Sequence, residues 1–444
     1  MSSRPMASRA RKFQARAAAH FGIQPAGHAA QSPWHVLRDR GAFRWYFAGS
    51  AVSDFGTWLQ NTAQVVLAYQ LAHSVLLVGL VTFAQFTSPL LLGPFAGVLT
   101  DRFGGRRVLL GAQLISAMVA ATLAALDFDR MLNAWVLVAG AILGGLAFTL
   151  ALPARNVTVQ RLVPPGLLQP AYAMDTVSYN LGRAVAPVVT MTIGLAGVNF
   201  AWAFAANALS FLAFSMILWR VLMRAASEPE RRSRIRDGFQ IARNDGRIMV
   251  LLLMVAAVTV ADDPILVLGP AIAKHLDVPP VWSGWFIAAL GAGTVAGSFR
   301  RSRHQHTLRL AATALAALAL FMLIFVFAPS MWLAIGAALG AGACCLVANS
   351  VTRAVLAEQA GPERTAAVMA VWAIAWAGSK PFASLIDGVL GNWIGPQWTG
   401  MILAAPALVP VVVIALFPKV GFWLTKMRGK ESTSPATASA VLRG

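Results

Sequence analysis

The chain has 444 residues, of which 58% are hydrophobic and only 12% charged, yet its 36 Lys+Arg against 17 Asp+Glu give a formal net charge of +19. Soluble domains carry about 25% charged residues, so this composition excludes an ordinary soluble enzyme or soluble nucleic-acid-binding module. Two adjacent cysteines, Cys344 and Cys345, lie in an apolar run. Helical neighbours point about 100° apart, so they read as small packing residues rather than a disulfide.

Apolar runs between charge clusters predict an all-α integral membrane protein. Twelve spans are expected, at 43–71, 77–100, 107–126, 133–153, 170–195, 200–222, 247–270, 281–299, 308–328, 331–356, 365–390 and 397–418. Each is close to the roughly 20 apolar residues that cross a bilayer core. They divide into two six-helix bundles, 43–223 and 247–418, flanked by a basic extension (1–42), a polar linker (224–246) and a tail (419–444). The extension has no apolar core of signal-peptide type. It is expected to lie in the cytoplasm, the alternative being a basic amphipathic segment resting on anionic lipid.

Span 1 carries Asp54 well inside the apolar stretch, followed by Trp58, Gln60, Asn61 and Gln64. Polar groups at this depth must face protein or water. With Asn180 of span 5, they read either as a lining for a polar substrate or as interhelical hydrogen bonding. Between spans 2 and 3 stands a short basic turn, Gly97-Val-Leu-Thr-Asp101-Arg102-Phe-Gly104-Gly-Arg106-Arg107, and Arg155 follows span 4. Span 5 carries Arg183 within Gly182-Arg183-Ala-Val-Ala186-Pro187. Span 7 carries Asp262-Asp263-Pro264, where proline should break the helix, and span 11 carries Lys380.

Asp54, Arg183, Asp262 or Asp263, and Lys380 all fall roughly 16–23 Å into their helices, near mid-bilayer. Ionisable groups there are costly and functional by default. Two buried pairs are expected, Asp54 with Arg183 and Asp262 or Asp263 with Lys380. A carboxylate that exchanges its cation for a proton could drive a conformational cycle. Static pairing and substrate contact by the same groups are the alternatives. Asp175 and Asp387, near span ends, are expected to snorkel or cap. All seven histidines fall in tails or loops, and no zinc spacing or other metal site is present.

Thirty-two of the 36 lysines and arginines lie in the terminal segments and in the loops after even-numbered spans, while the opposite loops hold only Arg130 and Lys274. Cytoplasmic loops carry the excess of Lys and Arg. Both termini are therefore expected in the cytoplasm, and the net charge reports topology, not a nucleic-acid partner. The two halves read as weak repeats. Gly97 through Arg102 is echoed by Gly297-Ser-Phe-Arg-Arg301-Ser, and Arg155-Asn-Val-Thr-Val-Gln by Asn349-Ser-Val-Thr-Arg before an Ala-Gly-Pro-Glu turn. Parallel repeats meeting at a central site are a transporter architecture.

The turn Gly97–Arg107 resembles the loop between helices 2 and 3 of major facilitator superfamily transporters. Trp45 through Gln60, Ser74 through Gly79, Leu152-Pro153-Ala-Arg155 and Asn180-Leu-Gly182-Arg183-Ala-Val-Ala186-Pro187 are similar to the branch containing the bacterial enterobactin exporter. The similarity covers residues 45–220 and is thin beyond. It implies two six-helix bundles around a cavity that opens alternately to each side of the inner membrane. It assigns Gly97, Asp101, Arg102, Gly104, Arg106 and Arg107 to a cytoplasmic gate, with Asp101 steadying a cytoplasm-closed packing against helix 11 and Arg155 as its cationic neighbour. Two positions depart from the family: the second-half echo has Arg301 where the gate aspartate would stand, and Ala186 replaces the glycine that drug–proton exporters carry before the helix-5 proline.

The expected function is proton-driven export of a small organic molecule, a siderophore or drug. The alternatives are an importer on the same fold or, from another class, a membrane sensor or assembly factor. No G-x-x-x-x-G-K-[ST] loop supports ATP drive, and nothing suggests an enzyme. The expected partners are a small-molecule substrate, protons and the bilayer. No cofactor and no metal are expected, and a monomer is.

Overall fold

The computed structural model describes residues 41–164, 167–222, 240–241, 243–299, 308–360 and 364–416. The basic extension, most of the linker, the Arg301 echo, the Gly-Pro-Glu turn and the C-terminal tail lie outside the described residues. The elements are α1 (Gly41–Ala72), α2 (Val75–Phe103), α3 (Gly105–Phe128), α4 (Ala134–Leu162), α5 (Leu168–Leu195), α6 (Ala201–Leu222), α7 (Gly246–Asp262), α8 (Pro264–Val267), α9 (Gly269–His275), α10 (Ser283–Phe299), α11 (Leu308–Val326), α12 (Met331–Ala360), α13 (Thr365–Trp393), α14 (Pro396–Ala404) and α15 (Val409–Leu416). Taking α7–α9 as one broken path and α14–α15 as another, the described residues trace twelve helical paths and contain no strand. Eight stretches are long and apolar enough to cross a membrane by length and composition. The long helices outside that set include α1, α5 and α13, which carry Asp54, Arg183 and Lys380.

Local chemistry explains the ends. Ser74 and Asn133 cap α2 and α4 by accepting from the Leu76 and Val136 amides at 3.1 Å each, the ordinary role of such residues at a helix start. The expected break at Asp263-Pro264 is present and divides α7 from α8. His275, assigned from sequence to a loop, ends α9. A larger correction concerns α4, which continues through Pro153 to Leu162. The apolar run and Pro153 predict a span end at 153 and a loop position for Arg155. In the structure Arg155 turns inward to meet a carboxylate, so its charge does not mark a boundary. Exposed tryptophans ring both ends: Trp135, Trp202, Trp332, Trp393 and Trp398 at one, Trp45 and Trp219 at the other. Amphipathic rings concentrate at membrane–water interfaces in this way.

Packing repeats between the halves. In the first, α2 packs on α4, α3 on α4 and α6, and α1 on α5; in the second, α10 packs on α12, α11 on α12 and α14, and α7 on α13. Two seams join the halves, α2 with α13 and α5 with α10, and each seam is the symmetry mate of the other.

The basic end is where the 103–107 turn joins α2 to α3, and the far end is opposite it. The seams are tight from mid-membrane to the far end. A Cβ on Gly79 of α2 would stand 2.5 Å from the Ser384 carbonyl oxygen and 2.7 Å from Gly388 Cα of α13. A Cβ on Gly284 of α10 would stand 2.7 Å from the Pro187 carbonyl oxygen of α5. Glycine allows the backbones to approach this closely, as in other small-residue membrane interfaces. At the far rim Ser74 Oγ donates to Asn392 Oδ1 at 3.0 Å. Toward the basic end α2 loses its cover. On the face that carries Gly79, a Cβ on Gly93 or Gly97 would meet nothing within 4 Å. The halves are joined at the far end and parted at the basic end.

Candidate functional site

Asp54 is 4% exposed at the middle of α1. Arg155 Nη2 donates to its Oδ1 at 2.9 Å, and Ser178 Oγ donates to its Oδ2 at 2.9 Å. Arg155 also donates to Ser50 Oγ, and Ser50 donates onward to Asp175 at 3.4 Å. Gly182 of α5 lies against the Asp54 carbonyl, which brings the two helices close enough for Ser178 to reach. The expected Asp54–Arg183 pair does not form, and Arg155 takes Asp54 rather than Asp101. A carboxylate at this depth takes the cation whose side chain reaches it, and Arg155 on α4 does.

Arg183 instead leaves its own half. Its Nη2 stands 3.5 Å from Asp262 Oδ2 at the end of α7, and its guanidinium lies 5.2 Å over the Trp58 ring. Lys380 Nζ donates to Asp263 Oδ1 at 2.5 Å, and Ser384 Oγ donates to Asp263 Oδ2 at 2.5 Å. Lys380 also lies 5.3 Å from the centre of the Phe86 ring of α2, a second contact across the seam. The expected pairing of an adjacent aspartate with Lys380 is therefore present through Asp263, while Asp262 serves Arg183. Cys345 Sγ sits 3.8 Å from Asp262 Oδ2. Together, Trp58, Phe86, Arg183, Asp262, Asp263 and Lys380 form a charged and aromatic cluster between the halves.

The remaining candidates on α1 point elsewhere. Asp54, Gln60, Asn61, Gln64, Gln85, Gln113, Arg155 and Asn207 line a cavity of about 70 Å3 inside the first half. Asn207 Nδ2 donates to Gln60 Oε1 at 2.8 Å and Gln85 Nε2 to Asn61 Oδ1 at 3.1 Å. Of the two readings, interhelical hydrogen bonding describes Gln60 and Asn61. Asn180 donates to the Thr176 carbonyl within its own helix at 2.9 Å.

The glycine-rich turn is explained by its geometry. Gly104 has φ 82°, a backbone conformation that L side chains rarely adopt, and its amide caps α2 by donating to the Thr100 carbonyl at 2.9 Å. Gly105 packs on Val157 and the Ala154 carbonyl of α4. Arg106 Nη2 donates to the Trp219 carbonyl at the end of α6 at 3.4 Å. Asp101, Arg102 and Arg107 are exposed.

A further correction concerns a third acid of the second half. Asp387, assigned to snorkelling or capping, is fully buried in α13, and neither carboxylate oxygen has a hydrogen-bond partner. Its spacing of three after Ser384 and seven after Lys380 was the available signal, because it sets all three on one helix face.

Twelve helical paths in two pseudo-symmetric halves, joined around buried charges, define a secondary transporter of the major facilitator kind, not an enzyme. The chain belongs to the transmembrane secretion effector family of these transporters, whose profile matches residues 31–439. An uncharacterised MFS-type transporter, YfiS, of Bacillus subtilis is 24% identical over 271 residues, 58% of this chain and 63% of that protein. Macrolide efflux protein A of Streptococcus pyogenes is 24% identical over 147 residues, 32% of this chain and 36% of that protein. The chain thus matches less than two thirds of the length of these curated relatives. Among solved structures, a mutant of the nucleoside transporter NupG superposes with TM-score 0.68 at 11% identity, over 84% of this chain and all of that one. The POT family transporter PepTSo superposes with TM-score 0.67 at 14% identity, over 86% of this chain and 98% of that one. Both show a shared fold.

Proposed function

We propose that this protein exports a small organic molecule across the bacterial cytoplasmic membrane by proton-driven alternating access, as a monomer with both termini in the cytoplasm. The observation that carries the reading is the Arg183–Asp262 pair, which spans the two halves at 3.5 Å. A contact across the halves must be remade whenever they rock about the central cluster. A carboxylate released from its cation in that step is a ready proton acceptor. The distribution of Lys and Arg puts the open, basic end in the cytoplasm, so the conformation described here is ready to load from inside. The efflux function named for the Streptococcus relative and the enterobactin-exporter resemblance of residues 45–220 support export.

The test uses inside-out and right-side-out membrane vesicles with a macrolide and enterobactin as probes. Accumulation in inside-out vesicles with an acidic lumen is the expected outcome. Uptake confined to right-side-out vesicles would replace export with import. Impermeant thiol labelling of Asn133→Cys but not Ser227→Cys in intact cells, with Cys344 and Cys345 replaced by alanine, checks the orientation. Asp101→Asn should insert normally and cycle slowly. A wild-type transport rate would reduce the 97–107 turn to a topology signal.

A further inference from the structure

Asp387 takes no part in either central ion pair. It lies in the tight part of the α2–α13 seam. Gly388, next to it, meets Leu76 and Gly79 of α2. Gly391, one turn further on, packs on Val75 and Leu268. Beyond them Ser74 and Asn392 close the far rim with their 3.0 Å hydrogen bond.

The ionisable groups facing Asp387 are Asp262 at the end of α7, Asp263 before α8 and Lys380 on its own helix. Asp262 is matched by Arg183, and Asp263 by Lys380. From Val75 to Thr100, α2 offers no charged residue, and α14, packed on the other side of α13, offers none. Of the two cations, neither is left for a third carboxylate. Asp387 is 0% exposed, and among the described residues neither of its oxygens has a donor. An anion in that position would be desolvated, unpaired and beside two other carboxylates, whereas a neutral carboxylic acid avoids all three costs.

We propose that Asp387 is the proton-binding group of the far-end gate: the closed α2–α13 seam holds the protonated acid, and loss of the proton drives the seam apart. The inference rests on the proton-coupled reading above and gives it a residue. With the far end open, the carboxylate takes a proton from water on that side. The seam then closes over a neutral side chain. With the halves parted at the basic end, the O–H bond breaks, the proton passes to water on that side, and the charge left behind demands hydration that only an open far-end seam supplies. The sign follows: far-end closure is favoured at low pH and lost as pH rises.

The experiment places cysteines across the rim, Ser74→Cys with Asn392→Cys, in the full-length chain with Cys344 and Cys345 replaced by alanine, and cross-links them in liposomes with a short bifunctional thiol reagent. Yields are compared from about pH 5.5 to about pH 8.5 with and without Asp387→Asn. Comparing the two backgrounds at each pH cancels the titration of the thiols themselves. With Asp387 present, the yield relative to Asp387→Asn should fall by roughly threefold or more across the range, as expected of a two-state population shift, while the Asn variant stays closed. Asp387→Leu, neutral and suited to the apolar seam, serves the same comparison if the Asn variant does not insert. Superimposable curves with and without Asp387 would overturn the inference. No substrate or gradient is used, so import in the vesicle assay would leave this result standing, and pH-driven export with superimposable curves would sink the Asp387 gate alone.

Discussion

The two halves hold the same kinds of charge at corresponding places and use them differently. In the first half the α1 acid, Asp54, is neutralised inside its own bundle by Arg155 of α4, with Ser50 and Ser178 in support. In the second half Asp263 pairs with Lys380 of α13, while Asp262 receives Arg183 from the first half. Asn349, which stands in the second half where Arg155 stands in the first, carries no charge, and Arg353, one turn on, lies 4.8 Å from the centre of the Trp372 ring. Repeated sequence positions therefore do not carry repeated partners. The first cluster lies within one half, and the second is shared between the two.

The largest effect that would test this contrast is at Lys380. Lys380→Met leaves Asp263, whose side chain is 0% exposed, with only Ser384 as a donor. Breaking a buried pair by removing one partner costs about 3–5 kcal/mol, which should appear as a large drop in the unfolding temperature of the purified protein. Adding Asp263→Asn should recover most of it. No recovery would mean that the lysine acts by packing, not by charge.

The partner of Asp54 is the next test. In double-mutant cycles for stability, Asp54→Asn should couple to Arg155→Met by about 1–3 kcal/mol and to Arg183→Met by close to zero. Coupling to Arg183 instead would restore the pairing expected from sequence and dissolve the distinction between the clusters. Arg183→Met should cost transport more than stability, since its partner belongs to the other half.

A smaller effect is expected at the far-end seam. Gly79→Ala places a methyl group against the α13 backbone, and overpacking of this kind costs about 1–3 kcal/mol. Here the halves can part to relieve it, so the readout is faster labelling of a cysteine at Ser74. Unchanged labelling would show that the seam yields elsewhere. Smallest of all is Gly97→Ala at the parted end, where a Cβ meets nothing within 4 Å. Stability should move by no more than about 0.5 kcal/mol, the usual range for surface sites. A large loss would show that α2 is covered at its basic end.

Much of the molecule was legible from residues alone. Lipid makes apolar length and charge placement decisive, so uncharged runs such as 55–100 give the helices, and the loop charges give the expected orientation. The Asp-Pro break in span 7 and the basic turn at 97–107 were equally plain. The site was legible as a set of residues and less so as a set of pairs. Asp54 and Arg183 match in depth but not in azimuth, and depth is all that a count along a helix provides. Arg155 looked like a loop residue because a cation after a proline resembles a span end, although α4 continues past it. Asp387 looked like a cap because it falls near the end of its expected span, although α13 continues past it to Trp393 and the residue is fully buried. Sequence by itself determined the helices and which side chains would need a partner inside them. Only the tertiary structure decided which partner each received, because that depends on how α1, α4, α5 and α13 are rotated and how closely their glycines let them approach.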